Sequence, residues 1–99
     1  MAGDLNKEKS NRVIITVLGK DTVGIIAGIT GILAEYKVNI LDISQTIMQE
    51  FFTMLMVVDL GNSTIDFNLL LDKLEEKGLE LGVKVNAQHE EVFEFMHRI

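Results

Sequence analysis

The fold is decided by residues 13–40, which read VIITVLGKDTVGIIAGITGILAEYKVNI. Residues 12–18 are rich in β-branched side chains and apolar on both faces, which is typical of a central strand covered on both sides. Apolar residues then recur at helical spacing over residues 24–37, and residues 38–40 open a second strand. The stretch therefore predicts a strand, a tight turn, a helix and a returning strand in fewer than thirty residues.

The predicted helix carries an unusual set of glycines. Gly24, Gly28 and Gly31 fall on a different side from its apolar stripe, and an interior glycine costs a helix about 1 kcal/mol relative to alanine. Either close packing on a neighbouring element or access for a ligand accounts for them, and the sequence leaves both explanations open. A helix N-terminus that glycine exposes is also suited to anions such as carboxylates.

The rest of the chain repeats the order of strand, helix and strand. Strands over residues 38–48 and 51–60 flank a tight turn at Gln49–Glu50, and a second helix begins at Ser63 or Asp66 and ends near Leu81. A half-exposed strand follows from Val83, and the last ten residues form a short helix. This order predicts an α+β, ferredoxin-like βαββαβ sandwich with a short C-terminal helix.

The predicted sheet has one face without main helices. Right-handed crossovers place both main helices on the same face. We expect Ile, Val, Met and Phe side chains on the other face, covered at most by the terminal helix. Exposed apolar surface of that size marks an interface, so we predict a homodimer or a higher homo-oligomer.

Composition narrows the class of protein. With 99 residues the chain has room for one domain, predicted over residues 12–99 behind a flexible N-terminal tail over residues 1–11. Fifteen acidic against nine basic residues argue against direct nucleic-acid binding. No cysteine and no secretory segment are present, so a cytoplasmic location is predicted. No apolar run is long enough to span a membrane, so no membrane association is expected.

Two segments of the sequence resemble a known protein family. Residues 17–26, VLGKDTVGII, followed by Val38-Asn39-Ile40, look like an ACT domain. The resemblance covers about residues 12–99 and is closer to stand-alone ACT-domain proteins of bacteria and archaea, which are similar to the repressor of the glycine-cleavage system. It implies a ferredoxin-like regulatory module that binds amino acids or similar small ligands, usually at subunit interfaces. Many ACT domains have proline where this chain has Val23.

The resemblance also implies a ligand site. One subunit would supply the first strand–helix loop, and the neighbouring subunit would supply the start of the second strand. The residues are Asp21, Thr22, Gly24, Ile25 and Ile26 from the loop, and Asn39 and Ile40 from the strand. Backbone N–H groups near Gly24 suit a carboxylate, Asp21 an ammonium group, and Asn39 either partner. Alternatively, Asp21 only caps the helix and Asn39 only satisfies a turn.

The sequence holds no set of residues that indicates an enzyme. His89 and His97 are the only histidines, and Glu94 with His97 offers too few ligands for a metal site. We therefore expect no catalytic residues, no metal and no cofactor. Two hypotheses remain: an oligomeric amino-acid-binding regulatory module that acts on a separate protein, or a protein-interaction domain without a functional ligand pocket.

Overall fold

The structure, a computed structural model, describes residues 11–96. Its elements, in chain order, are β1 (Arg12–Lys20), α1 (Ile25–Glu35), β2 (Asn39–Met48), β3 (Phe51–Asp59), α2 (Phe67–Leu81), β4 (Val83–His89) and α3 (Glu90–Met96). The four strands form one antiparallel sheet in the order β2-β3-β1-β4. The predicted ferredoxin-like α+β fold is confirmed, with the strands β2 and β4 at the two edges.

The core lies between the sheet and the helices α1 and α2. Alternation along β1 places Val13, Ile15 and Val17 on the helix-facing side, where each is fully buried. Ile25, Ile29 and Leu33 of α1 and Leu70 and Leu74 of α2 are buried in the same cluster. The apolar stripes read from the sequence are therefore the faces that the two helices bury.

Local signals explain where α2 begins and ends. Of the two candidate N-cap residues, Asp66 is the cap, because its carboxylate accepts a hydrogen bond from the backbone N–H of Leu69 at 2.8 Å. The Ser63 hydroxyl lies within hydrogen-bonding distance of the carbonyl oxygens of Leu60 and Ile65, at 2.9 Å each, and so stabilises the preceding turn. The helix ends at Gly82 in a left-handed conformation.

The predicted hairpin turn at Gln49–Glu50 is confirmed, with Met48 and Phe51 paired on either side of it. Gln49 adopts a positive φ of 58°. A two-residue turn needs such a conformation to match the twist of the strands. Tertiary pairing over nine positions of β3 thus overrides the absence of a glycine at this turn.

The sheet face opposite α1 and α2, called the outer face below, differs from the expectation. The sequence predicts Met48, Met54 and Met56 as core residues. Met54 and Met56 are buried on the helix-facing side, whereas Met48 is exposed on the outer face. Polar side chains occupy much of the outer face, because its positions on β2 and β4 are residues such as Ser44, Thr46 and Asn86. The apolar surface there is therefore smaller than predicted.

The ends of the chain lie partly outside the described residues. Of the predicted tail over residues 1–11, only Asn11 is described, and its carbonyl accepts a hydrogen bond from the Leu60 N–H at 2.8 Å. The predicted terminal helix is present as α3, and His97 lies outside the described part. Across residues 11–96 no helix is long and apolar enough to cross a membrane.

Candidate ligand site

The loop between β1 and α1 leaves the start of α1 unusually open. Gly24 is the N-cap residue, with φ +95°, a left-handed conformation that side chains disfavour. In the described structure no side chain forms an N-cap hydrogen bond with α1, and the first turn of α1 contains no acidic residue. A Cβ at Gly24 would meet nothing within 4 Å, so the backbone conformation, rather than crowding, favours glycine here.

The N–H groups of the first turn of α1 lack intrahelical partners, as they do in every α-helix. The first of the helical hydrogen bonds runs from the Gly28 N–H to the Gly24 carbonyl at 2.8 Å. Ile25 is buried and offers only its backbone, whereas Ile26 and Thr22 are exposed. The loop can therefore present free N–H groups, with an exposed apolar side chain beside them.

Asp21 does not cap α1, in contrast to one alternative considered from the sequence. Its backbone N–H donates to the Glu50 carbonyl at 2.8 Å, which ties the loop to the β2–β3 turn. The Asp21 side chain is exposed. The Gln49–Glu50 turn thus forms one wall beside the loop. Sequence reasoning missed this neighbour, because only the antiparallel pairing of β1 with β3 brings the two segments together.

Asn39 and Ile40 lie far from this loop within one chain. Asn39 pairs with Asp59, which pairs with Arg12 at the start of β1, whereas the loop follows Lys20 at its end. Eight residue steps along a strand span roughly 26 Å. One copy of the chain therefore does not bring the two halves of the predicted site together.

Two glycines of α1, Gly28 and Gly31, have different surroundings, and close packing explains only one of them. A Cβ at Gly28 would lie 3.0 Å from a methyl carbon of Leu81 on α2, so close packing of the helices accounts for this glycine. A Cβ at Gly31 would meet nothing within 4 Å. Gly31 is therefore an exposed helix glycine that packing among residues 11–96 does not explain.

The described residues give little indication of a metal site or of a catalytic histidine. Among residues 11–96 no three His, Asp or Glu side chains converge as a metal site would require. His89 stacks on Phe67, with ring centroids 4.2 Å apart, and packs between the sheet and the start of α2. This histidine therefore contributes to packing.

Comparison with known proteins agrees with this architecture. The family model for the ACT domain matches residues 11–88. The chain is 54% identical over 89 residues to a UPF0237 protein of Methanocaldococcus jannaschii, covering 90% of this chain and 99% of that protein. The chain therefore belongs to the ACT domain family and, within it, to the UPF0237 proteins.

Solved structures show the same fold. An ACT domain protein from Streptococcus pneumoniae superimposes with a TM-score of 0.73 at 47% identity, covering 84% of this chain and 93% of that one. A protein assigned as a glycine cleavage system transcriptional repressor has a TM-score of 0.67 at 20% identity, over 78% of this chain and 44% of the other. ACT domains are in general regulatory modules that bind small molecules.

Proposed function

We propose that this protein is a regulatory module that binds an amino acid, or a similar small ligand, at a site shared by two copies of the chain. Ligand binding would then change how the assembly interacts with a separate protein. The observation that carries the proposal is the placement of the two half-sites, at opposite ends of a sheet whose β2 edge is open.

Pairing of two β2 edge strands would bring the β1–α1 loop of one copy close to the start of β2 in the other. β2 is ten residues long, and every residue except Ile40 is exposed. If two copies pair their β2 strands antiparallel about a two-fold axis, the start of one strand meets the end of the other. The start of β2 carries Asn39, and its end leads into the turn that contacts the Asp21–Gly24 loop. Each loop would then face Asn39 of the second copy.

The apolar surface along β2 favours the same arrangement. Leu41, Ile43, Ile47 and Met48 are all exposed on this strand. Ile26 of α1 is exposed as well. Edge strands in monomeric proteins are usually protected by charge, by a bulge or by being short. On β2 the charged Asp42 and the bulge beside it lie near the start, and the residues from Ile43 to Met48 have neither. Pairing of two β2 edges would bury this surface.

The site chemistry suits a ligand with both charges of an amino acid. Free N–H groups at the start of α1 and the positive end of its dipole would hold a carboxylate. The exposed Asp21 carboxylate would hold an ammonium group, and Asn39 of the second copy would bond either. The binding residues in this proposal are Asp21, Thr22, Gly24, Ile25, Ile26, Asn39 and Ile40.

A thermal-shift screen of the twenty amino acids at millimolar concentration tests the proposal. A ligand present at 100 times its dissociation constant adds about 2.7 kcal/mol to the free energy of unfolding, which raises the melting temperature by several degrees. The absence of any hit would instead favour a protein-interaction domain without a functional pocket.

Calorimetry with a hit from the screen then tests the shared site. Asn39→Ala should lower the binding free energy by about 1.5–3 kcal/mol if Asn39 bonds a charged group. Asn68→Ala, at an exposed position in the first turn of α2, is the matched control and should bind normally.

Mixing two defective variants shows whether the halves come from different copies. In a mixed dimer of Asn39→Ala with Asp21→Ala, one of the two sites has both residues intact, so binding should partly return. If mixing restores nothing although mixed dimers form, a site shared in this way is excluded.

A further inference from the structure

Within residues 11–96, the outer face of the sheet is covered at one end only. Ile14 and Leu18 lie on this same face of β1, yet Ile14 is 5% exposed and Leu18 is 54% exposed. The helix α3 contacts β1 and β4, and Ile14 lies at the end of the sheet where β4 leads into α3. We call the opposite end, with Leu18, Met48 and Phe51 exposed, the bare end.

The short helix α3 exposes apolar side chains as well as charged ones. Phe93 is half-buried, whereas Val92 is exposed and Phe95 is 76% exposed. A helix of seven residues is marginal alone in water and depends on docking. Two exposed apolar residues on so short a helix therefore favour a second contact surface.

The charges of α3 and the bare end are opposite. Lys20 pairs with Phe51, and Lys84 pairs with Leu18, so exposed ammonium groups border the apolar residues of the bare end. The exposed residues Glu91 and Glu94 lie on α3. None of these four charged residues forms an ion pair within residues 11–96, where the pairs are Arg12–Glu90 and Lys77–Glu80.

We propose that two copies of this chain pack their outer faces together, with α3 of each copy on the bare end of the other. A two-fold axis in the plane of the sheet and perpendicular to the strands turns one copy over and reverses its strands. The covered end of each copy then faces the bare end of its partner, so Phe95 meets Leu18 and Phe51, and Glu94 approaches Lys84. Such an interface is isologous and buries both surfaces at once.

This interface does not depend on the ligand site, and it is compatible with the proposed pairing of β2 edges. The axis for edge pairing is normal to the sheet, whereas the axis for outer-face packing lies in its plane. Perpendicular two-fold axes that meet generate a closed assembly of four copies with dihedral symmetry. An open-ended array is avoided, and the two interfaces are separable by mutation.

Light scattering and sedimentation of the full chain measure the assembly. The double variant Phe51→Ala/Phe95→Ala should weaken outer-face association by at least about tenfold. Leu79→Ala is the matched control, because Leu79 is exposed on α2 and outside both interfaces. The thermal midpoint of each variant shows that it is folded.

Two further variants distinguish the two interfaces. Ile43→Lys/Ile47→Lys disrupts only the β2 edge. We expect the natural chain to form an assembly of four copies and each double variant to form a dimer. The chain with all four substitutions should be a monomer. An unchanged assembly in Phe51→Ala/Phe95→Ala would overturn the outer-face proposal, whereas an unchanged assembly in Ile43→Lys/Ile47→Lys would overturn the edge pairing.

Charge exchange provides a second test of the outer face. Glu94→Lys should weaken association by about threefold, because it places like charges together at the interface rim. Adding Lys84→Glu to the same chain should restore association. If the double variant associates no better than Glu94→Lys, then Glu94 does not face Lys84 of the partner and the proposed arrangement is wrong.

Discussion

The helices α1 and α2 pack side by side on one sheet, yet they begin in opposite ways. α2 starts at Asp66, whose carboxylate accepts a hydrogen bond from the Leu69 N–H. α1 starts at Gly24, which has no side chain to offer. An aspartate N-cap stabilises a helix by about 1 kcal/mol relative to alanine and by only a few tenths relative to glycine, so α1 forgoes a small part of the stability that α2 gains.

The outward sides of the two helices also differ. Exposed positions of α2 include Asp72, Glu75, Glu76 and Glu80, whereas those of α1 before Glu35 are the uncharged residues Ile26, Ala27, Gly31 and Ala34. A helix that is apolar all round is typical of one buried in a larger structure. The outward side of α2 is therefore suited to contact with water, whereas that of α1 is suited to contact with a ligand or another chain.

The largest effect is expected at Gly78, on α2. A Cβ there would lie 2.8 Å from the backbone oxygen of Val83 and 2.9 Å from Cγ2 of Val85. Gly78→Ala should lower the free energy of unfolding by about 2 kcal/mol, because the backbone of β4 cannot move aside easily. Urea denaturation measures the change.

Gly28→Ala, on α1, is the control for Gly78→Ala. Its nearest neighbours would be side-chain atoms of Leu81 and Lys77, which can shift at lower cost. We expect a clearly smaller loss of stability. If the two substitutions destabilise the protein equally, the close contact between α2 and β4 is not the reason that Gly78 is glycine.

A smaller loss of folding stability is expected for a substitution at the start of α2. Asp66→Ala removes the N-cap and should lower the free energy of unfolding by about 1 kcal/mol. Thermal unfolding monitored by circular dichroism checks it, with Asp72→Ala, at an exposed mid-helix position, as the control. An equal effect of the two substitutions would show that Asp66 acts only through its charge, and the contrast with the start of α1 would lose its basis.

The smallest effect, with the opposite sign, is expected at Gly31 on α1. Because a Cβ there would meet nothing within 4 Å in the part of the chain that the structure describes, Gly31→Ala should raise the free energy of unfolding by about 0.5–1 kcal/mol. Urea denaturation at low protein concentration measures the change apart from association. A loss of stability would show that the outward side of α1 is more crowded than the structure indicates.

Sequence pattern predicted the elements well, because each carries its own periodicity. Alternation separated Val13, Ile15 and Val17 from Ile14 and Leu18, and the structure places the two sets on opposite faces. The pattern did not choose between Ser63 and Asp66 as the N-cap, since both have suitable side chains. Only the path of the turn after Leu60 decides between them.

The candidate site was less predictable. Gly28 and Gly31 are alike in sequence, yet one packs against α2 and the other faces open space. The turn at Glu50 lies beside the Asp21 loop through a backbone hydrogen bond, which no side-chain pattern records. The separation of Asn39 from that loop depends on strand register, and register is fixed by pairing across the sheet.

The order of the strands and helices, the faces that they bury and the resemblance to ACT domains can all be read from the amino-acid sequence. These features depend on spacing along the chain and on local backbone preferences. Only the tertiary structure places Asn39 and Gly24 at opposite ends of the sheet, leaves β2 at its edge, and buries Ile14 while Leu18 on the same face is exposed. These features depend on strand pairing and packing between residues that are far apart in the sequence.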